Sequence, residues 1–131
     1  MARILVADDN VEQITVQRKL FEALGYEVDA ASSPAATVEA VRRRVPDLVV
    51  MDLRFPKVSD GLGLIRALRE SFTGLKVIVL SGWPDDLYGT PEETMVDRIV
   101  VKGSMRELLG VISEFLQPKA VAASALSRNL P

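Results

Sequence analysis

Carboxylate, hydroxyl and ammonium side chains stand immediately after short apolar runs. Asp8 and Asp9 follow Ile4-Leu5-Val6-Ala7, and Asp52 follows Leu48-Val49-Val50-Met51. Ser81 follows Val77-Ile78-Val79-Leu80, and Lys102 follows Ile99-Val100-Val101. If these runs are parallel strands, the side chains converge at the carboxyl end of one sheet, where open α/β sheets bind ligands. Three carboxylates gathered there repel, at about 4 kcal/mol for a pair 4 Å apart and an effective dielectric of 20. The cluster therefore calls for a cation. The chain has no histidine and no cysteine, so the ligands are oxygens, which select a hard ion that keeps some of its water. Mg²⁺ is the natural choice. A carboxylate beside Mg²⁺ and an ammonium is equipped to attack phosphorus and become an acyl phosphate. Ser81 can hydrogen-bond a phosphoryl oxygen, and Gly82 leaves room for the backbone to approach. Each residue alone is a weak signal, because acidic pairs cap helices, serines make turns and most lysines are solvated. Their joint placement at four strand ends points to a phosphoryl acceptor.

The elements that must position them are legible in the periodicity. A helical pattern carries Val11, Ile14, Val16, Leu20, Phe21 and Leu24 and stops at Gly25, a suitable C-terminal cap. Tyr26, Val28 and Ala30 alternate with Glu27 and Asp29, which suits an edge strand. Ser33-Pro34 opens a second helix that runs to about Arg44. A third is expected from about Gly61 to Phe72. The polar stretch from Pro84 to Asp97 holds two prolines and leaves little room for a full helix. Within it, Thr90 and Glu93 have capping-box spacing and predict a short helix. Ser104 and Glu107 form a second such pair, opening a last helix that ends near Gln117-Pro118. The result is a (βα)5 series, which folds as a doubly wound three-layer α/β sandwich with a five-stranded parallel sheet. The first, third and fourth apolar runs should be its interior. Phe21, Phe72, Phe115, Leu68, Leu108 and Leu109 are expected core residues. Arg42-Arg43-Arg44 reads as a solvated helix end, where cations suit the dipole. Gly61-Leu62-Gly63 is no dinucleotide loop, because Arg66 holds the third glycine position.

The 131 residues are 48% apolar and 26% charged, an ordinary single-domain composition. Residues 1–117 read as that domain and 118–131, rich in Ala and Ser, as a flexible tail or linker stub. A net charge of −2 offers no basic surplus for nucleic acid. Lack of cysteine removes disulfides and zinc–thiolate sites. Lack of histidine removes His-based catalysis and any phosphohistidine carried by the chain. No apolar run approaches the roughly 18 residues that span a bilayer, and no signal-peptide layout is present. A cytoplasmic protein with no membrane partner is expected.

On these residues the chain resembles the receiver domain of two-component response regulators over residues 3 to about 117. The matching positions are Asp8-Asp9, Asp52 in Val-Val-Met-Asp-Leu, Ser81 in Val-Leu-Ser-Gly and Lys102 in Val-Val-Lys. The resemblance implies a flavodoxin-like, CheY-like fold with strand order 2-1-3-4-5. It implies Asp52 as the phosphorylated residue, with Mg²⁺ held by Asp9, Asp52 and the backbone carbonyl of Arg54, and by Asp8 through water. Ser81 would move to the phosphoryl group and Lys102 would pair with it. The donor would be a sensor histidine kinase, a histidine phosphotransfer protein or a small phosphodonor, and the output a protein effector. Such a protein turns over no metabolite and catalyses only its own phosphoryl capture and hydrolysis. It reads as a stand-alone regulator or as the receiver half of a longer chain.

Three departures from the family pattern matter. Gly103 follows Lys102 where proline is usual, Ile99 replaces an aromatic switch residue, and the loop from Arg54 to Gly61 is one residue longer than usual. Arg54 and Trp83, each two residues beyond a site residue, are placed to stack as a cation–π pair and shield the acyl phosphate from water. The competing interpretation of that pair is plain surface packing. Two other functions compete with the leading one. A docking module independent of phosphorylation would not need the acidic cluster. A phosphatase resembling haloacid dehalogenases needs a second acid where Arg54 stands.

Overall fold

The structure, a computed structural model, describes residues 1–116. Five strands, β1 (Arg3–Ala7), β2 (Glu27–Ala31), β3 (Leu48–Asp52), β4 (Val77–Ser81) and β5 (Arg98–Val101), form one parallel sheet. Their order is β2-β1-β3-β4-β5. Every residue of β1, β3 and β4 is buried, as continuous apolar runs require when helices cover both faces. The alternating β2 lies at an edge, as expected. Helices α2 (Pro34–Arg43) and α3 (Val58–Ser71) cover one face over a core that includes Leu5, Val49, Met51, Leu64 and Leu68. Helices α1 (Val11–Ala23) and α4 (Met105–Leu116) cover the other, over Val6, Phe21, Val50, Ile78 and Ile112. No described helix is long and apolar enough to cross a membrane.

Local chemistry sets most of the boundaries. Asn10 caps α1, its side-chain oxygen accepting from the amides of Glu12 and Gln13. Gly25 adopts φ +96°, a left-handed turn in which its amide reaches Glu22 O and that of Tyr26 reaches Phe21 O. The Ser33 hydroxyl accepts from the Ala36 amide, with Pro34 in the first turn.

The structure corrects four expectations. Of the predicted α1 stripe only Phe21 is fully buried, and Gln17 is buried beside it. Val11, Val16 and Leu24 are each more than half exposed, because the face turned to the sheet runs Ile14–Gln17–Phe21. Helix α3 starts at Val58 rather than Gly61, with Asp60 reaching back to accept from the Lys57 amide. The region before β5 forms two short 3-10 turns, Pro84–Asp86 and Pro91–Met95, and Thr90 does not cap the second. Its hydroxyl donates instead to Leu87 O, while Glu93 accepts from the Gly89 amide. Finally, Leu68 and Leu108 are buried as expected, but Phe72, Leu109 and Phe115 are only partly so. Ser104 accepts from the Glu107 amide at 3.4 Å. The expected domain end at 117 and the tail from 118 lie outside the described residues.

Candidate functional site

Parallel register brings the strand ends level: Ala7 lies across from Met51, Asp52 from Leu80, and Ser81 from Val101. Backbone bonds continue just past the strands, from the Leu53 amide to Leu80 O and from the Lys102 amide to Ser81 O. Asp8, Asp9 and Asp52 each place a carboxylate oxygen within 4.8 Å of the others. Asp8 and Asp52 are buried, and Asp9 is exposed at the mouth. The Lys102 ammonium donates to Asp52 Oδ2 at 3.0 Å. Ser81 is buried, and its Oγ accepts from the Trp83 amide, which leaves the hydroxyl proton available to an incoming oxygen.

Asp8 bears most of the electrostatic strain. One of its oxygens accepts from the Asn10 amide, and Oδ2 is buried without any hydrogen-bond partner. Burial raises its pKa above the ordinary 3.8, and the charges of Asp52 and Asp9 push the same way, against the pull of the Asn10 amide and Lys102. An orphaned carboxylate oxygen beside two further carboxylates fits a hard divalent cation. A raised acid pKa means that the folded state disfavours the charged form. Asp8 therefore supports folding below about pH 3.8, and that support is lost as pH rises through its folded pKa. Asp8→Asn should consequently raise the melting temperature at neutral pH in EDTA and flatten the fall of stability with rising pH. Added Mg²⁺ should stabilise the wild type more than the variant. Thermal melts with and without Mg²⁺ check this; a metal-free variant less stable than the wild type would remove the repulsion argument.

The remaining predicted residues sit around this cluster. Arg54 and Trp83 do stack, with the guanidinium carbon 4.5 Å from the indole centroid. Sequence reading missed the third member, Asp86, which accepts from Arg54 Nε and Nη2 at 3.1 and 2.9 Å. It is one acid in a polar stretch, and nothing in its spacing marked it. The three residues tie the loop after β3 to the turn after β4. A Cβ at Gly82 would meet nothing within 4 Å, so open space faces that position. Gly103 has φ +96°, a turn that proline cannot make, which accounts for the residue after Lys102. The cis peptide of the region lies at Phe55–Pro56. Ile99, at the switch position, is partly buried and packs against the core on the α2–α3 side.

Gly61 was also missed. A Cβ there would lie 1.8 Å from the Leu53 carbonyl oxygen, so the first turn of α3 presses directly on the chain just beyond Asp52. Only the bare glycine signalled it.

A parallel sheet of this order, carrying an acidic trio and a lysine on its carboxyl edge, defines a receiver-type domain. Residues 4–112 match the response regulator receiver domain model, and the chain belongs to that family. Among curated proteins it is similar to the transcriptional regulatory protein ZraR of Escherichia coli O157:H7, 31% identical over 80 residues, 61% of this chain and 18% of that protein. A putative transcriptional regulator of Pseudomonas aeruginosa is 34% identical over 82 residues, 62% of this chain and 39% of that one. PrrA of Mycobacterium tuberculosis is 27% identical over 130 residues, covering 98% of this chain and 55% of that protein. The chain thus spans 18 to 55% of the length of these relatives. Among solved structures, the response regulator TrrA from Thermotoga maritima in complex with Mg²⁺-BeF superposes with a TM-score of 0.81 at 26% identity, covering 88% of this chain and all of that one. The receiver domain of TorR gives 0.77 at 28% identity, over 89% of this chain and 98% of that one.

Proposed function

We propose that the chain is a phosphorylation-controlled switch, with Asp52 taking a phosphoryl group from a sensor histidine kinase or a histidine phosphotransfer protein. The observation that carries this reading is the Lys102–Asp52 pair at 3.0 Å inside a carboxylate cluster with an unsatisfied Asp8 oxygen. A structural ion pair would not need two further acids beside it. Asp9, Asp52 and the Arg54 carbonyl would hold Mg²⁺, with Asp8 acting through water. When bound, Mg²⁺ neutralises the carboxylates and the charge that develops on the transferred group. The Mg²⁺-BeF complex of TrrA supports the choice of ion.

The chain's own residues then have separable tasks. An Asp52 oxygen attacks phosphorus, forming the acyl phosphate as the bond from phosphorus to the donor nitrogen breaks and its electron pair stays with the donor. Lys102 pairs with a phosphoryl oxygen, and Ser81 turns its free proton toward another. Later attack by water on phosphorus restores the carboxylate and releases inorganic phosphate. No metabolite is turned over. The change at Ser81 and Lys102 moves the loops after β4 and β5, and a protein effector reads that surface. Action in the cytoplasm fits such a donor. Intact mass after incubation with acetyl phosphate tests the reading. A gain of one phosphoryl group with Mg²⁺ and none in EDTA is expected. No gain with either acetyl phosphate or a histidine kinase would favour the docking-module alternative.

The Arg54–Trp83 stack has a role within this reading. Held by Asp86, it roofs the approach to Asp52 and slows the entry of water. Arg54→Ala and Trp83→Ala should each speed loss of the phosphoryl group by about 3- to 10-fold, the consequence of removing roughly 1 kcal/mol of stacking. Unchanged rates in both variants would reduce the stack to surface packing.

A further inference from the structure

A second polar cavity lies at the free edge of β2, toward the amino ends of the strands and away from Asp52. It encloses about 420 Å³ and is lined by Arg3, Arg18, Asp29, Ala30, Arg43 and Arg44, with Ala40 at its wall. Four arginines and Asp29 line it, and Glu27 and Glu22 pair with three of those arginines from outside the lining. The elements that bring them together are distant in sequence: Arg3 opens β1, Arg18 lies on α1, Asp29 and Ala30 belong to β2, and Arg43 and Arg44 end α2.

The arginines are only partly satisfied. The Arg3 side chain is 10% exposed, and it bonds Asp29 and, at 3.4 Å, Arg44 O. Its Nε–H is buried with no hydrogen-bond partner, the Glu27 carboxylate standing 3.7 Å away. Arg18 donates one bond to Val28 O and approaches Glu22 at 3.9 Å. Arg44 reaches Glu27 at 3.4 Å, and Arg43 has no ion-pair partner among the described residues. A buried guanidinium N–H without a hydrogen-bond partner, on the strand that lines the cavity, is a donor left for a bound oxygen.

Guanidinium forks match oxyanions with several acceptor oxygens, phosphate above all. The volume falls within the roughly 300–1,000 Å³ of small-molecule sites and exceeds the needs of a single inorganic ion. We propose that this cavity binds a small phosphate-bearing anion of nucleotide size, at a site separate from the phosphoacceptor. The site is independent of the switch proposed above, since no lining residue touches the Asp52 cluster. Its occupancy would bridge β1, α1, β2 and the end of α2.

The test uses the full chain in EDTA, where the metal-free acidic cluster repels anions. ATP, pyrophosphate and inorganic phosphate are titrated separately while the arginine Nε–Hε resonances are followed by NMR. Saturable binding in the millimolar range or tighter is expected, with the Arg3 Nε–Hε resonance shifting. Arg18→Gln and Arg43→Gln should each weaken it about tenfold, as loss of a charge-assisted bond implies. Both residues are surface-accessible, so the variants should fold, and acetyl phosphate labelling of Asp52 should be unchanged in them. Pyrophosphate binding as tightly as ATP would show that phosphate groups alone are recognised, and tighter ATP binding would add the nucleoside; either supports the site. Absence of saturation with all three probes, or binding indifferent to both substitutions, would overturn it.

Discussion

Asp52→Asn is expected to abolish acquisition of the phosphoryl group while leaving the fold intact. The residue is buried at the end of β3, 7% exposed, so asparagine keeps its volume and its place in the strand. What it removes is the nucleophilic oxygen and one negative charge. An amide cannot form the acyl phosphate, so labelling by acetyl phosphate should fall to background even with saturating Mg²⁺. The charge change has a second reading. Lys102 loses its carboxylate partner at 3.0 Å, while Asp8 loses the Asp52 charge that helps to raise its pKa. Metal-free stability should therefore change little, and Mg²⁺ affinity should drop by about tenfold or more as one direct oxygen ligand weakens. Mass spectrometry, thermal melts and Mg²⁺ titration together separate the effects. Labelling at the wild-type level in the variant would place the acceptor elsewhere.

Gly61→Ala should be the most damaging substitution outside the site. Its Cβ would sit 1.8 Å from Leu53 O, where contacts below 3.0 Å do not occur. The obstacle is backbone, so the start of α3 or the chain after Asp52 must move by more than an ångström. Overpacking of this kind costs about 3 kcal/mol, a large part of the roughly 5–15 kcal/mol that holds a domain folded. Gly63 provides the control within the same helix. A Cβ there meets only the end of the Arg66 side chain, at 3.6 Å. Gly63→Ala should therefore stabilise α3 by about 0.5–1 kcal/mol, because alanine is the better helix former. Urea unfolding distinguishes the two. The explanation fails if Gly61→Ala lies within about 0.5 kcal/mol of the wild type. Labelling should slow as well, since Leu53 and Arg54 move with the displaced loop.

The parts of this protein legible in the sequence are those that rest on local rules. Buried parallel strands must be continuous apolar runs, so β1, β3 and β4 appear to within one residue at one end. The polar residues alternating through β2 mark it as an edge because, although Val28 and Ala31 are buried on opposite faces, Glu27 and Asp29 keep access to solvent at the sheet's margin. Caps at Ser33 and Gly25 follow from backbone groups that need partners or a left-handed turn. Where the rule was local but the competition was not, the reading failed. Thr90 has a capping residue's spacing, yet its hydroxyl donates back to Leu87 O and its oxygen accepts no amide of the turn that follows. Lys57 carries no capping side chain, so nothing announced the start of α3, and Asp60 supplied the bond instead. Val11, Val16 and Leu24 belong to the helical pattern of α1 yet stay exposed, because periodicity reports an apolar face, not how much of it the sheet covers.

By itself, then, the sequence determined the alternating architecture, the strand ends and the chemical types placed there, because strand burial and side-chain chemistry are properties of short segments. Only the tertiary structure decided which charges meet. Register across β1, β3 and β4 draws Asp8 and Asp52 together and leaves one Asp8 oxygen unpaired. Packing of α3 against the chain after β3 makes Gly61 indispensable. Closure of the β2 edge gathers arginines from three separate segments around one cavity. Such contacts join residues of separate elements, and their energies depend on distances of a few ångströms that no local pattern encodes.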